Sequence, residues 1–134
     1  MKIRTSDGSI SFAHGTLASA QKRTGFLASE LGRSASMKLV SEDWWHASFK
    51  PETDILARAV FKGDHLHQVI ILRSITSDDD GEWSVENELK RKSIHDAWLH
   101  SEMGAPPYTY SWGDVVSEYD QKGCVSEIIV TYAP

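Results

Sequence analysis

The sequence predicts an α+β fold: an antiparallel sheet of about seven strands in the order ββ-α-βββ-α-ββ, with two helices packed on it. Two observations predict it. Short runs that alternate apolar and polar residues are joined by turn sequences such as Asp7-Gly8, Lys62-Gly63-Asp64-His65 and Asp120-Gln121-Lys122-Gly123, which is hairpin connectivity. One long segment, Glu82 to Met103, contains neither proline nor glycine. Because neighbouring strands pair through hairpins, the sheet is antiparallel throughout and its helices gather on one face.

Ile3 to Phe12 reads as a hairpin about Asp7-Gly8, where glycine accepts positive φ and aspartate tolerates it. Thr24 is placed to cap a short helix through Phe26, Leu27 and Leu31, with Gly32 as its left-handed stop. Arg33 to Met37 reads as a loop. Trp44 to Lys50 is a strand ended by Pro51, with Trp45, Ala47 and Phe49 on one face. Ile55 to Lys62 and Leu66 to Arg73 form the clearest hairpin. Within it, Val69-Ile70-Ile71-Leu72 is apolar on both faces, as expected of a central strand that is covered on both sides or carries a helix across one.

On the long helix, Val85, Leu89, Leu99 and Met103 gather on one stripe, expected to bury against the sheet. Trp83, Ile94, Ala97 and Trp98 gather on the other side and must meet a second element or another molecule. Ala105-Pro106-Pro107 then breaks the chain before a last hairpin. In it Tyr108, Tyr110 and Trp112 share a face, Gly113 marks a bulge, and Cys124 to Tyr132 returns.

At 134 residues, with 40% hydrophobic and 25% charged, the chain fits one domain, residues 1–134, with one core. Its five tryptophans exceed what so small a core needs; most are assigned to the core, the rest to an aromatic groove or interface. A net charge of −5 speaks against nucleic acid as the main ligand, since phosphate binding needs clustered Lys and Arg. With Cys124 as the single cysteine, no internal disulfide or cysteine-based zinc site can form. The first residues carry no apolar signal core and no run is long enough to span a membrane, so cytoplasm is the expected location.

The candidate chemistries each fall short of a complete set. His65 and His67 lie two apart on a strand, but a metal needs a third ligand that the sequence does not designate. Asp78-Asp79-Asp80-Gly81 has the look of a calcium loop, yet aligning its glycine puts Thr76 at the first ligand position and Asn87 at the twelfth, where a bidentate Glu belongs. Cys124 in a strand reads as a small buried hydrophobe, and adjacent helical residues such as His95 and Asp96 do not face each other. There is no Gly-x-Ser-x-Gly elbow and no glycine-rich phosphate loop. The expectation is a non-enzyme with no catalytic, cofactor or metal residues.

The segments His95-Asp96-Ala97-Trp98-Leu99, Pro107-Tyr108-x-Tyr110-x-Trp112-Gly113 and Tyr119-Asp120-x-Lys122-Gly123 resemble a group of small bacterial proteins. In size, acidity and α+β order the chain resembles the immunity proteins of bacterial polymorphic toxin and contact-dependent growth inhibition systems. The resemblance implies a role in neutralising a toxin domain and assigns no functional residue. Read from the residues, the partner-binding set is Asp78, Asp79, Asp80 and Glu82, four carboxylates within five positions, together with Trp83 and Trp98. Charge at a helix start also favours folding. In a basic partner's interface it would speed encounter, while the aromatic anchors supply affinity. The runner-up is a small-ligand protein or enzyme with a pocket between the sheet and the long helix.

Overall fold

The computed structural model describes residues 1–74 and 83–134. Asp78, Asp79, Asp80 and Glu82 lie outside the described residues. The chain runs through β1 (Lys2–Ile3), β2 (Ile10–Phe12), β3 (Gly15–Leu17), α1 (Arg23–Ala28), α2 (Glu30–Arg33), β4 (Ser36–Ser41), β5 (Trp44–Glu52), β6 (Ile55–Lys62), β7 (His65–Arg73), α3 (Val85–Met103), β8 (Tyr108–Tyr110), β9 (Gly113–Asp120) and β10 (Val125–Tyr132). The main sheet is antiparallel, with seven strands ordered β4-β5-β6-β7-β10-β9-β8; β1, β2 and β3 form a second, three-stranded sheet.

The α+β class and the seven-stranded antiparallel sheet are as the sequence predicts. The details differ in ways with physical causes. The first hairpin does not join the main sheet. Its turn spans Arg4 to Ser9, closed by the Arg4 N–H donating to the Ser9 carbonyl (2.9 Å), with Gly8 at φ 77°. A Cβ on Gly8 would stand 2.4 Å from the Trp112 ring, so the glycine also makes room for that indole. The expected loop from Arg33 to Met37 is shorter than predicted: Ser34 and Ala35 connect α2 to strand β4, which begins at Ser36 as an exposed edge that shows no burial alternation. Strand β5 runs past Pro51 to Glu52, with an irregularity after Phe49. Gly113 opens β9 instead of bulging it, and Cys124 sits half-buried at φ 54° in the turn before β10.

The expected single N-terminal helix is two short ones. Lys22, not Thr24, precedes α1, and the Thr24 N–H is taken by the Asp64 carboxylate (3.1 Å). Ser29 separates the helices and caps α2 by accepting from the Gly32 N–H (3.2 Å). Gly32 is therefore inside α2 and not a stop. A Cβ there would lie 1.8 Å from the Phe26 carbonyl oxygen, so only glycine permits this close approach.

The core lies on one face of the main sheet. A rung of facing residues, Phe49–Ala57–Ile71–Ile128–Ser117, crosses five neighbouring strands. Phe49, Ala57, Ile71 and Ile128 of that rung are buried, as are Ala47, Ala59, Val69 and Val130 on the same face. The small alanines leave space for Phe26 of α1, whose ring meets Phe49 at 5.3 Å and Phe61 at 5.7 Å between centroids. The small sheet adds Ile10, Phe12 and Leu17, and α3 adds Leu99. Every described helix packs on this side. Strand β7 is fourth of seven, central as expected, but only its Val69/Ile71 face is fully covered; Ile70 and Leu72 are half-buried.

Candidate partner-binding surfaces

Helix α3 meets the sheet through an unexpected stripe. Of the expected inward residues, Leu99 is buried, Met103 is half-buried, and Val85 and Leu89 are exposed; the fully buried positions are Glu88, His95 and Leu99. The spacing is helical, but polar residues occupy it, so a hydrophobic pattern could not reveal it. The reason lies in the backbone beneath. The β7–β10 ladder runs from Gln68↔Thr131 to Ile71↔Ile128, and its register would bring Arg73 opposite Ser126. There α3 intervenes. The Ser126 N–H donates to the Glu88 carboxylate (2.9 Å), the Arg73 N–H donates to His95 Nε2 (3.1 Å), and the Arg73 carbonyl accepts from the Arg91 guanidinium. Ser126 also gives its hydroxyl proton to the Glu88 carbonyl, and Arg91 pairs with the Glu88 carboxylate (3.3 Å). The helix thus satisfies backbone groups at the splayed strand ends.

This seat fixes the tautomer of His95. Its Nε2 accepts, so the proton of the neutral ring is on Nδ1, which is buried without a partner among the described residues. Burial, with Arg91 and Arg73 nearby, lowers its pKa from 6.5 to about 4; Asp96 opposes weakly and Lys92 adds to the fall.

None of the five tryptophans is fully buried. Trp45, Trp98 and Trp112 are half-buried and pack against the core, so most of the five contribute to it as expected, each from its rim. Trp45 carries the Arg23 guanidinium 4.0 Å above its ring, and Trp98 faces Arg73 at 5.5 Å. Trp112 stacks on Tyr110 with planes 8° apart and donates to the Thr5 carbonyl (2.7 Å). Trp44 meets His67 edge-on at 5.1 Å, which gives His67 a packing role; His65 is exposed. Among the described residues no three His, Cys, Asp or Glu gather as a metal set, and no helix is long and apolar enough to cross a membrane.

Trp83 is different. It is 57% exposed, yet its indole N–H is held by the Cys124 carbonyl at 2.6 Å, so the ring is both presented and anchored. Just beyond it Ser84 caps α3 by accepting from the Asn87 N–H (3.0 Å), and Val85 and Leu89, one turn apart, are 47% and 49% exposed. Trp83, Val85 and Leu89 are three exposed large apolar residues at the start of α3. Trp98 does not join them: fifteen residues and about four helical turns separate the two tryptophans. Val85 and Leu89 were missed as surface residues because their stripe reads as core.

Two depressions bear on a small-ligand reading. One of about 550 Å³ lies between α3 and the β8–β9 edge, where Asp96, His100, Tyr108 and Asp114 converge. Neither Trp83 nor Trp98 lines it. A larger one, about 790 Å³, is lined by Lys22, Lys62, His65, His67, Trp112 and Tyr132 among others.

No family model matches the chain, and no curated protein does. Among solved structures, the chain is similar in fold to a chain of the structure described as Rhs1-CT in complex with cognate immunity protein RhsI1. The TM-score is 0.61 at 19% identity, over 98% of this chain and 86% of that one. At that identity the likeness is one of fold: the chain has the architecture of one component of an immunity-protein complex.

Proposed function

We propose that this chain is a non-catalytic immunity protein of the bacterial cytoplasm that neutralises a cognate toxin domain by binding it. The observation that supports this most directly is the anchored, exposed Trp83 beside Val85 and Leu89, in a fold shared with a component of an immunity-protein complex. A large aromatic ring already held in place loses little freedom on docking, which is what an interface anchor requires. Neutralisation follows if the partner's active site or substrate channel lies under the docked face.

The test is to search the genes beside the one that encodes this chain for a toxin domain and to co-express the two. Growth should arrest with the toxin alone and recover with this chain present, and the two purified proteins should form a stable complex. Arrest that persists despite folded, expressed chain, with no complex, would remove the immunity reading.

A second reading, a small-ligand carrier or enzyme, draws on the depression that gathers Asp96, His100 and Asp114 between α3 and the sheet. It predicts that Asp114→Asn disturbs function while Trp83→Ala does not. The immunity reading predicts the reverse.

A further inference from the structure

The face of the main sheet opposite the core carries none of the described helices, and its charges are segregated. One rung, Lys38–His46–Val60–Gln68–Thr131–Asp114–Thr109, crosses all seven strands on this side. A second, Ser48–Arg58–Ile70–Ile129–Val116, runs beside it. Lys38, Lys50 and Arg58 occupy the β4–β6 half. Asp114, Glu118 and Asp120 of β9 and Glu127 of β10 occupy the other. Between them lie Leu56 (56% exposed), Ile70, Leu72, Ile129 and Val116 (44% exposed). A depression of about 590 Å³ opens at this centre, lined by Leu56, Arg58, Ile70, Leu72 and Glu127 among others.

Each half opposes itself. Glu118 and Glu127 stand directly across from one another, and like charges in that position destabilise a strand pair. Burial raises the Glu127 pKa, and Asp120, Glu118 and Glu88 push it the same way, against Arg58. On the other half, burial with Arg58 and Lys38 holds the His46 imidazole below its usual range. A purely basic partner would relieve β9–β10 but be repelled over β4–β6. The surface that carries both signs in the complementary arrangement is this face itself, turned over.

We infer that the uncovered sheet face pairs with the same face of a second copy of this chain, about a two-fold axis along β7. Since β7 is the middle strand of seven, that axis stacks β6 on the partner's β10 and β5 on its β9. The basic half of each copy then lies over the acidic half of the other, and Ile70 meets its own counterpart at the centre. Such an isologous contact closes as a dimer. Helix α3 and Trp83 remain outward on both copies, so the dimer leaves the proposed toxin-binding patch free and does not rest on it.

Sedimentation equilibrium on the intact protein at about 100 µM, well above a micromolar dissociation constant, reads this directly. The expected mass is twice 15.0 kDa, shifting toward one copy as salt screens the contact. Glu118→Lys with Glu127→Lys, and separately Lys50→Glu with Arg58→Glu, should each weaken self-association by at least about tenfold. An equimolar mixture of the two variants should recover a dimer, because their faces are again opposite in sign. Val116→Arg tests the apolar part without reversing a charge pair, and circular dichroism melts verify that each variant is folded. A monomeric wild type would overturn the proposal, whatever else occupies the face. So would a dimer that neither reversal weakens, or a mixture that stays monomeric.

Discussion

Arg73 and Ser126 stand two rungs beyond the end of the β7–β10 ladder, and each gives its backbone N–H to a side chain of α3: Arg73 to His95 and Ser126 to Glu88. The helix therefore does more than cover the sheet. It supplies acceptors where two central strands part, and its position is set by hydrogen bonds more than by apolar area. Leu99 is its only fully buried apolar side chain. The group at Trp83 inherits its place from this seat, because Ser84 and Glu88 fix where α3 begins.

Glu88→Ala should be strongly destabilising. It would leave the buried Ser126 N–H without its acceptor and remove the Glu88 side of the Arg91–Glu88 ion pair. Breaking one side of a buried, hydrogen-bonded charge pair costs about 3–5 kcal/mol. Urea denaturation measures it; a loss under about 1 kcal/mol would show that water replaces the carboxylate at little cost.

Stability should fall with acid through the His95 titration. The folded-state pKa is about 4 against 6.5 for the free side chain, so the unfolded chain takes up this proton first as pH falls. The contribution is fully present above about pH 6.5 and is lost progressively down to pH 4. A shift of that size corresponds to about 3 kcal/mol. His95→Gln retains an acceptor for the Arg73 N–H but does not titrate, so its stability should fall less steeply across the same interval. Parallel curves for the two proteins would rule out His95 as the source.

Strand patterns carry most of what was legible in the sequence. Hairpin turns and period-two alternation located β5, β6, β7 and β10 within a few residues, and the glycine- and proline-free segment located α3. What stayed hidden was set by contacts between distant residues. Gly32 reads as a helix stop, yet it is an interior residue of α2 because the Phe26 carbonyl comes so close. Strand β4 is an exposed edge, so burial imposes no alternation on it. The inward stripe of α3 is Glu88 and His95 because splayed strand ends need acceptors, and no local pattern announces that need. Of the binding set, Trp83 is on the surface and Trp98 is half-buried against Arg73.

The two faces of β7 give a paired test of its placement. Ile71 is fully buried against Ala57 and Ile128, whereas Ile70 points to the uncovered face and is only half-buried. Ile71→Ala should cost about 3–4 kcal/mol, within the range for buried aliphatic truncation. Ile70→Ala should cost about 1 kcal/mol, since part of its surface is already wet. Equal losses measured by urea denaturation under conditions where the protein is monomeric would mean that both faces are covered within a single chain.

Trp83→Ala separates binding from folding. The ring is more than half exposed and its one hydrogen bond, to the Cys124 carbonyl, joins α3 to the β9–β10 turn. Losing a single hydrogen bond at the surface costs about 1 kcal/mol, so the melting temperature should fall by only a few degrees. Loss of a central aromatic anchor from an interface costs about 2–4 kcal/mol. Affinity for the proposed toxin partner, measured by calorimetry, should therefore drop by roughly 30-fold or more while the fold persists. Because the side chain carries no charge, the loss should appear in the dissociation rate and vary little with salt. Leu89→Ala, one turn into α3, should weaken binding in the same direction but less. If Trp83→Ala and Leu89→Ala both bind as the wild type does, the start of α3 is not the docking face, and the depression between α3 and the β8–β9 edge becomes the next surface to test.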